Sequence, residues 1–365
     1  MFKSEAVVVG AGVIGLSIAR ALAGRGLEVL VLEAESRIGQ GVSSRNSEVI
    51  HAGLYYPPGS LKARFCVEGR RSLYRYCSEH GVPHRRCGKL VVATTPDEDA
   101  AVQALYERAQ ANGVEDIALI GREHLKAIEP DARHSALVSG TTGIVDGHAL
   151  MLAYQGDAEA AGAAVQLRAP FTEAHVSGAS ITLVTGGHEP AEIETGLLVN
   201  AAGLQAWDVS SRLRGLDPAT IPPRHLTKGS YFSMSGRAPF SHLIYPVPMP
   251  GGLGIHLTFD LGGAVRFGPD AEWVDEIDYE VDPERGNAFY AAIRRYWPDL
   301  PNGALAPDYA GIRPRIAGPG EPAGDFIIQG PAITGHKGYV ALYGIESPGL
   351  TASLAIGDYV ANLVS

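Results

Sequence analysis

Apolar and polar positions along this chain follow two periods. Residues 6–9 are an unbroken apolar run, β-branched from Val7 to Val9, which reads as a strand buried on both faces. Val13, Ile14, Leu16, Ile18, Ala19 and Leu22 then recur at helical spacing until Gly24 and Gly26 end the helix. A second apolar run, 28–32, leads into Glu33. Residues 61–80 predict an amphipathic helix with Phe65, Cys66, Leu73, Tyr74 and Tyr76 facing inward, closed by Gly81. Strand 86–93, helix 97–111 with acids in its first turn, and a short helix 121–130 follow. Short strands at 136–138 and 143–145 precede a helix at 147–161 and a further parallel strand at 162–167. Residues 181–184 and 193–195 form a small β excursion that returns to the buried run 196–203.

From about residue 224 to 315 the pattern changes. The runs 231–234, 243–245, 254–259 and 264–267 are short and separated by Gly/Pro turns, which predicts an antiparallel sheet carrying a second domain. A helix at 284–296, stopped by Pro298, packs beside it. The chain closes with strand 338–343, a Gly-rich turn and helix 350–364, the same kind of unit with which it began. The expected fold is α/β: a Rossmann-like domain from residues 1–85, 145–223 and 315–365, and a discontinuous antiparallel-sheet substrate domain from 86–144 and 224–314.

Gly10, Gly12 and Gly15 lie between the first strand and the first helix. Gly10 permits a tight turn, Gly12 removes a side chain that would obstruct a pyrophosphate, and Gly15 lets helix and strand pack closely. The helix N-terminus offers free N–H groups to the phosphates. Glu33 is placed to accept from ribose hydroxyls, and its charge disfavours a 2′-phosphate. Strand, turn, helix, strand and acid together point to a dinucleotide. No second fingerprint occurs, because Gly318, Gly320 and Gly324 lie in a Pro-interrupted loop. The chain therefore uses either NAD alone or FAD reduced directly by its substrate.

Composition narrows the partners. The 365 residues carry a formal charge of −10 without a Lys/Arg-rich run, which argues against nucleic acid. Cys66, Cys77 and Cys87 show no metal-ligand spacing and fit a reduced, intracellular chain with structural thiols. Lys3, the apolar stretch after it and Ala21–Ala23 imitate a signal peptide, but cleavage there would destroy the fingerprint, so the segment reads as mature structure. No apolar run reaches eighteen residues, which leaves peripheral contact as the form of membrane association still open.

The polar loop 36–47 holds Ser43, Ser44, Arg45 and Asn46, donors suited to phosphate or to a polar ring. Residues 200–203, Asn-Ala-Ala-Gly, end a buried strand where open α/β sheets bind ligands. With the fingerprint and a Gly-Leu-Thr helix start at 349–351, these motifs resemble the D-amino-acid-oxidase-like superfamily of FAD enzymes. Residues 46–64 (NSEVIHAGLYYPPGSLKAR) resemble, more narrowly, the L-2-hydroxyglutarate dehydrogenase/oxidase family. CGKLVVA at 87–93, IYPVP at 244–248, GIHLT at 254–258, FGPDA at 267–271 and GIRP at 311–314 extend the resemblance over nearly the whole chain. Where members of that family carry His-Asn, this chain has Arg45-Asn46.

The resemblance implies FAD, with its pyrophosphate at Gly10, Gly12, Ile14 and Gly15 and its ribose at Glu33 and Ala34. It places Ser43, Ser44, Arg45 and Asn46 near the phosphates and ring, Phe171 at the adenine, and Ala201 and Gly203 along the channel. Gly349, Leu350 and Thr351 would face the flavin's O2 edge, where reduction builds negative charge. The implied reaction oxidises an L-2-hydroxy acid, best L-2-hydroxyglutarate, to the 2-oxo acid by hydride transfer to flavin N5. His51 and His256 are the alternative bases. Arg313 suits the substrate carboxylate, and Tyr55, Tyr56 and Lys228 are weaker candidates for the pocket. Oxygen or a quinone would reoxidise the flavin, in a cytoplasmic protein or one peripheral at the membrane's inner face. The rivals are an amine or amino-acid oxidase of the same superfamily, an NAD-dependent dehydrogenase, and a redox-inert dinucleotide sensor.

Overall fold

The computed structural model describes residues 2–129, 134–248 and 254–364. Its first sheet is built on parallel strands in the order Ala164–Gln166, Val29–Leu32, Phe2–Val9, Glu192–Asn200 and Tyr339–Tyr343. Glu192–Asn200 forks: its first half pairs antiparallel with Ser180–Thr185, while its last residues pair with Tyr339–Ala341. The helices Val13–Ala23, Gly147–Ala160 and Gly349–Leu363 cover this sheet. The first and last of them cross so closely that a Cβ on Gly357 would lie 2.6 Å from the Ser17 hydroxyl, which donates to the Ser353 carbonyl. Phe171–Ser177, with its polar alternation, is a strand that periodicity alone did not predict.

The second sheet contains Leu305–Arg315, His225–Met234, Val265–Phe267, Leu257–Phe259, Leu243–Pro246, Lys89–Ala93, Ser135–Ser139 and Ile117–Ile120 as consecutive neighbours. It is not wholly antiparallel, because Leu243–Pro246 runs parallel to Lys89–Ala93. The chain between those strands leaves for the first sheet and comes back, so no hairpin fixes their relative direction. A small sheet of Val49–Ile50, Gly143–Val145 and His84–Arg85 joins the two large ones. The helix expected at 121–130 spans Arg122–Ile128, and Pro130 lies outside the described residues. The helix expected at 284–296 divides into a Pro283–Arg285 turn and a Gly286–Ile293 helix. No helix among the described residues is long and apolar enough to cross a membrane.

The two large sheets meet at the polar loop. The Tyr309 hydroxyl donates to the Asn46 carbonyl over 2.5 Å, and Arg45 Nη1 donates to the Ala310 carbonyl. A Cβ on Gly311 would stand 2.2 Å from the Arg45 carbonyl, so the loop lies directly on that strand.

Candidate active site

A cavity of ≈ 1580 Å³ runs from the Gly10 turn, between the sheets, to the strand carrying Arg313. That exceeds the roughly 300–1,000 Å³ of a pocket for one drug-sized ligand, leaving room for a dinucleotide and a substrate together.

At its outer end Gly10 has φ +103°, and a Cβ there would lie 2.7 Å from the Ala201 carbonyl. Val13 N–H donates to Ser43 Oγ at 3.0 Å, and the missing Cβ of Gly12 leaves space for that hydroxyl. The Gly12 and Ile14 amides have no acceptor among the described residues, so the helix start presents free donors to the cavity. Glu33 accepts from Ala11 N–H at 2.8 Å and Glu35 N–H at 3.0 Å, which fixes its carboxylate beside the turn. Ala34 and Phe171 continue the wall. Gly15 does not line the cavity; a Cβ there would lie 1.9 Å from the Gly10 carbonyl, so its place is in helix–strand packing.

Along the middle, Ala201 and Gly203 form one wall while the buried Asn200 side chain holds their turn by donating to the Ala206 carbonyl. Opposite, Arg45 stacks on Tyr279 with 4.0 Å from guanidinium to ring centroid. Two polar-loop residues are committed to the loop itself. Ser44 lies off the wall and donates to the Gly41 carbonyl, and Asn46 lines the cavity but spends its amide on the Val42 and Ser43 carbonyls. At the helix Gly349–Leu363, the amides of Leu350 and Thr351 have no acceptor among the described residues. The Thr351 hydroxyl instead accepts from His51 N–H and donates to the Val49 carbonyl. Free N–H groups at two helix starts, with an acid at the ribose position, suit FAD at both its pyrophosphate and its flavin edge.

The inner chamber gathers His51, Tyr55, Tyr56, Tyr231, Tyr245, His256 and Arg313. Arg313 lies across Gly229, where a Cβ would come within 2.9 Å of Nη2. Its hydrogen bond runs to the Asp270 carbonyl at 3.1 Å, and no carboxylate pairs with it among the described residues. His51 Nε2 lies 3.2 Å from Ser347 Oγ, while its Nδ1 is buried without a partner among the described residues, as is the Tyr55 hydroxyl. Burial and the nearby Lys89 charge push His51 down to about 3, so it is neutral at physiological pH rather than titrating there. Burial raises the Tyr55 and Tyr56 phenols. His256 is buried and stacks on Tyr245 at 3.5 Å between centroids.

Lys228 does not reach the chamber: it lies outside the cavity wall and pairs with Asp278 at 2.5 Å. The residues unforeseen from sequence are Tyr231, Tyr245 and Lys89. Lys89 is 1% exposed, with Nζ 4.8 Å from the Tyr55 ring centroid and 4.6 Å from that of Tyr245. A lysine opening the apolar run Leu90–Val92 was the available signal.

A fingerprint-bearing parallel sheet, a second sheet over the cavity and free N–H groups at two helix starts suit a flavin-dependent oxidoreductase. The FAD dependent oxidoreductase family model matches residues 5–363. The mitochondrial L-2-hydroxyglutarate dehydrogenase of Arabidopsis thaliana is 42% identical over 99% of this chain and 83% of its own length. A glycerol 3-phosphate dehydrogenase of Caloramator mitchellensis is 30% identical over 99% of this chain and 73% of its own. Among solved structures, the FAD-bound L-alpha-glycerophosphate oxidase of Mycoplasma pneumoniae superposes with a TM-score of 0.89 at 23% identity, over 100% of this chain and 95% of that one. The chain belongs to the FAD dependent oxidoreductase family, and within it to the family of the L-2-hydroxyglutarate dehydrogenases. FAD is its cofactor.

Proposed function

We propose that the protein oxidises L-2-hydroxyglutarate to 2-oxoglutarate. The carrying observation is Arg313, a guanidinium in the chamber wall that hydrogen-bonds a backbone carbonyl and has no carboxylate partner among the described residues. Such a group suits bidentate capture of the carboxylate next to the reacting carbon. The identity to L-2-hydroxyglutarate dehydrogenases supports the same substrate.

FAD, when bound, supplies a hydride acceptor at N5. The chain's residues do the rest. Arg313 fixes the C1 carboxylate and so the face of C2 that is presented. An imidazole takes the hydroxyl proton: His51 offers Nδ1, which has no partner among the described residues, and His256, just before the strand Leu257–Phe259, is the alternative. The Leu350 and Thr351 amides stabilise negative charge arriving on the flavin side. Tyr231, Tyr245 and Tyr55 exclude water from the chamber.

A phosphate dianion would also suit Arg313, so glycerol 3-phosphate is the competing substrate, and an amine oxidase reaction is the further rival. Product analysis separates them: 2-oxoglutarate supports the proposal, whereas dihydroxyacetone phosphate or released ammonia, without 2-oxoglutarate, contradicts it. Either oxygen or a quinone returns the flavin to its oxidised state. Peroxide formed in air supports oxygen, and reduction of a soluble quinone analogue supports the quinone. A cytoplasmic protein touching the membrane's inner face accords with the quinone.

A further inference from the structure

One buried cation plays no part in that chemistry. Lys89 has no carboxylate among the ion pairs of the described residues, although an isolated buried ammonium is costly. Its neighbours are the ring faces of Tyr55 and Tyr245, which answer part of the charge and themselves line the chamber. In the strand order Leu257–Phe259, Leu243–Pro246, Lys89–Ala93, Tyr245 stands between the His256 side and Lys89. Two chamber atoms, the Tyr55 hydroxyl and His51 Nδ1, are buried and have no hydrogen-bond partner among the described residues, and His51 feels the Lys89 charge. Unpartnered polar atoms close to a buried ammonium suit an anionic ligand. Burial pushes Lys89 down to about 7, as expected of a lysine whose counter-ion arrives with a ligand.

Other cations along the chamber are already answered. Lys62 pairs with Glu346 at 2.9 Å, and Arg315 lies 3.6 Å from the same carboxylate. Arg45 is spent on the Ala310 carbonyl and the Tyr279 ring, whereas Arg313 and Lys89, on opposite parts of one sheet, have no acid partner among the described residues.

We propose that Lys89 is the positioning residue for the distal carboxylate of a 2-hydroxy dicarboxylate, which binds against Tyr55 and Tyr245 and accepts from the Tyr55 hydroxyl, while Arg313 holds the proximal carboxylate. This rests on the function proposed above and adds the basis of selectivity for a dicarboxylate over a monocarboxylate. Lys89 acts through the tyrosine wall as an ammonium that the bound carboxylate stabilises, and Tyr55 makes the contact.

The test compares L-2-hydroxyglutarate with L-2-hydroxybutyrate in flavin-loaded wild type and Lys89→Met. The variant raises KM for the dicarboxylate at least about tenfold, changes its kcat less than about threefold, and leaves KM for the monocarboxylate within about twofold. Lys89→Arg with intact flavin recovers part of the loss, and no recovery counts against the proposal. An equal rise in KM for both substrates overturns it. If Lys89→Met fails to hold flavin, competition on the wild type decides: glutarate inhibits at least about tenfold more strongly than butyrate, whereas equal inhibition overturns the subsite. A wild type that does not turn over L-2-hydroxyglutarate refutes the functional reading instead. Turnover with both substrates responding alike to Lys89→Met refutes only the role of Lys89.

Discussion

Lys89 and His51 both have their charged forms suppressed, to about 7 and about 3, chiefly by burial. Between about pH 7 and its ordinary value, Lys89 is protonated in the unfolded chain but not in the ligand-free fold. The unfolded state then binds more protons, so stability rises with pH across that window. His51 acts in the same direction between about pH 3 and its ordinary value, since in the ligand-free fold it is unprotonated there while the unfolded chain binds the proton. Thermal unfolding of ligand-free wild type and Lys89→Met from pH 7 to 10 checks the first claim: the wild type gains stability relative to the variant as pH rises. A constant difference would place an ordinary lysine at 89. Arg313→Ala makes a different prediction. It removes the carboxylate clamp, so kcat/KM for L-2-hydroxyglutarate falls by at least about a hundredfold while flavin content is retained, as steady-state kinetics and the flavin spectrum would read. Loss of flavin instead would move Arg313 to the cofactor. Sequence reasoning reached Arg313 and His51 through motifs that resembled a family. It did not reach Lys89, because nothing local in Gly88–Val92 reveals that two tyrosines from distant segments close over the lysine.

The strand–turn–helix at 2–23 was legible because Ala6–Val9 are buried on both faces of the strand and the apolar residues of the helix recur at helical spacing, and both patterns are local. The same reasoning missed the Phe171–Ser177 strand, whose alternating polar residues resemble a loop, and the parallel junction of Leu243–Pro246 with Lys89–Ala93, which no local period encodes. Ser44 and Lys228 were misplaced for a related reason. Their side chains are consumed by a loop carbonyl and by Asp278, partners that only the fold supplies. Close approaches between elements give a sharp test. Gly311→Ala would drive a Cβ to 2.2 Å from the Arg45 carbonyl, and that atom is backbone. The loop must lift from the strand, at a cost of about 1–3 kcal/mol. The variant should unfold at lower temperature and release FAD more readily, measured by thermal melting and flavin fluorescence; unchanged melting and retention would mean that the loop does not rest on that strand.

At the scale of the whole chain, the cofactor cradle is assembled from three distant stretches. The fingerprint helix packs on the last helix, and the strand ending at Asn200 is completed by Tyr339–Ala341. A fragment ending at residue 223 should therefore not hold FAD, although it contains the entire fingerprint. A fragment that purifies yellow would show that the C-terminal unit is dispensable. The central claim is that this cradle and the Arg313 chamber serve one reaction. Its most direct measurement is the flavin absorbance of purified holoenzyme mixed anaerobically with L-2-hydroxyglutarate. The visible band should bleach with L-2-hydroxyglutarate, with one 2-oxoglutarate formed per flavin, and should not bleach with glycerol 3-phosphate or amino acids. A band that persists with L-2-hydroxyglutarate while another of these substrates bleaches it would contradict the account.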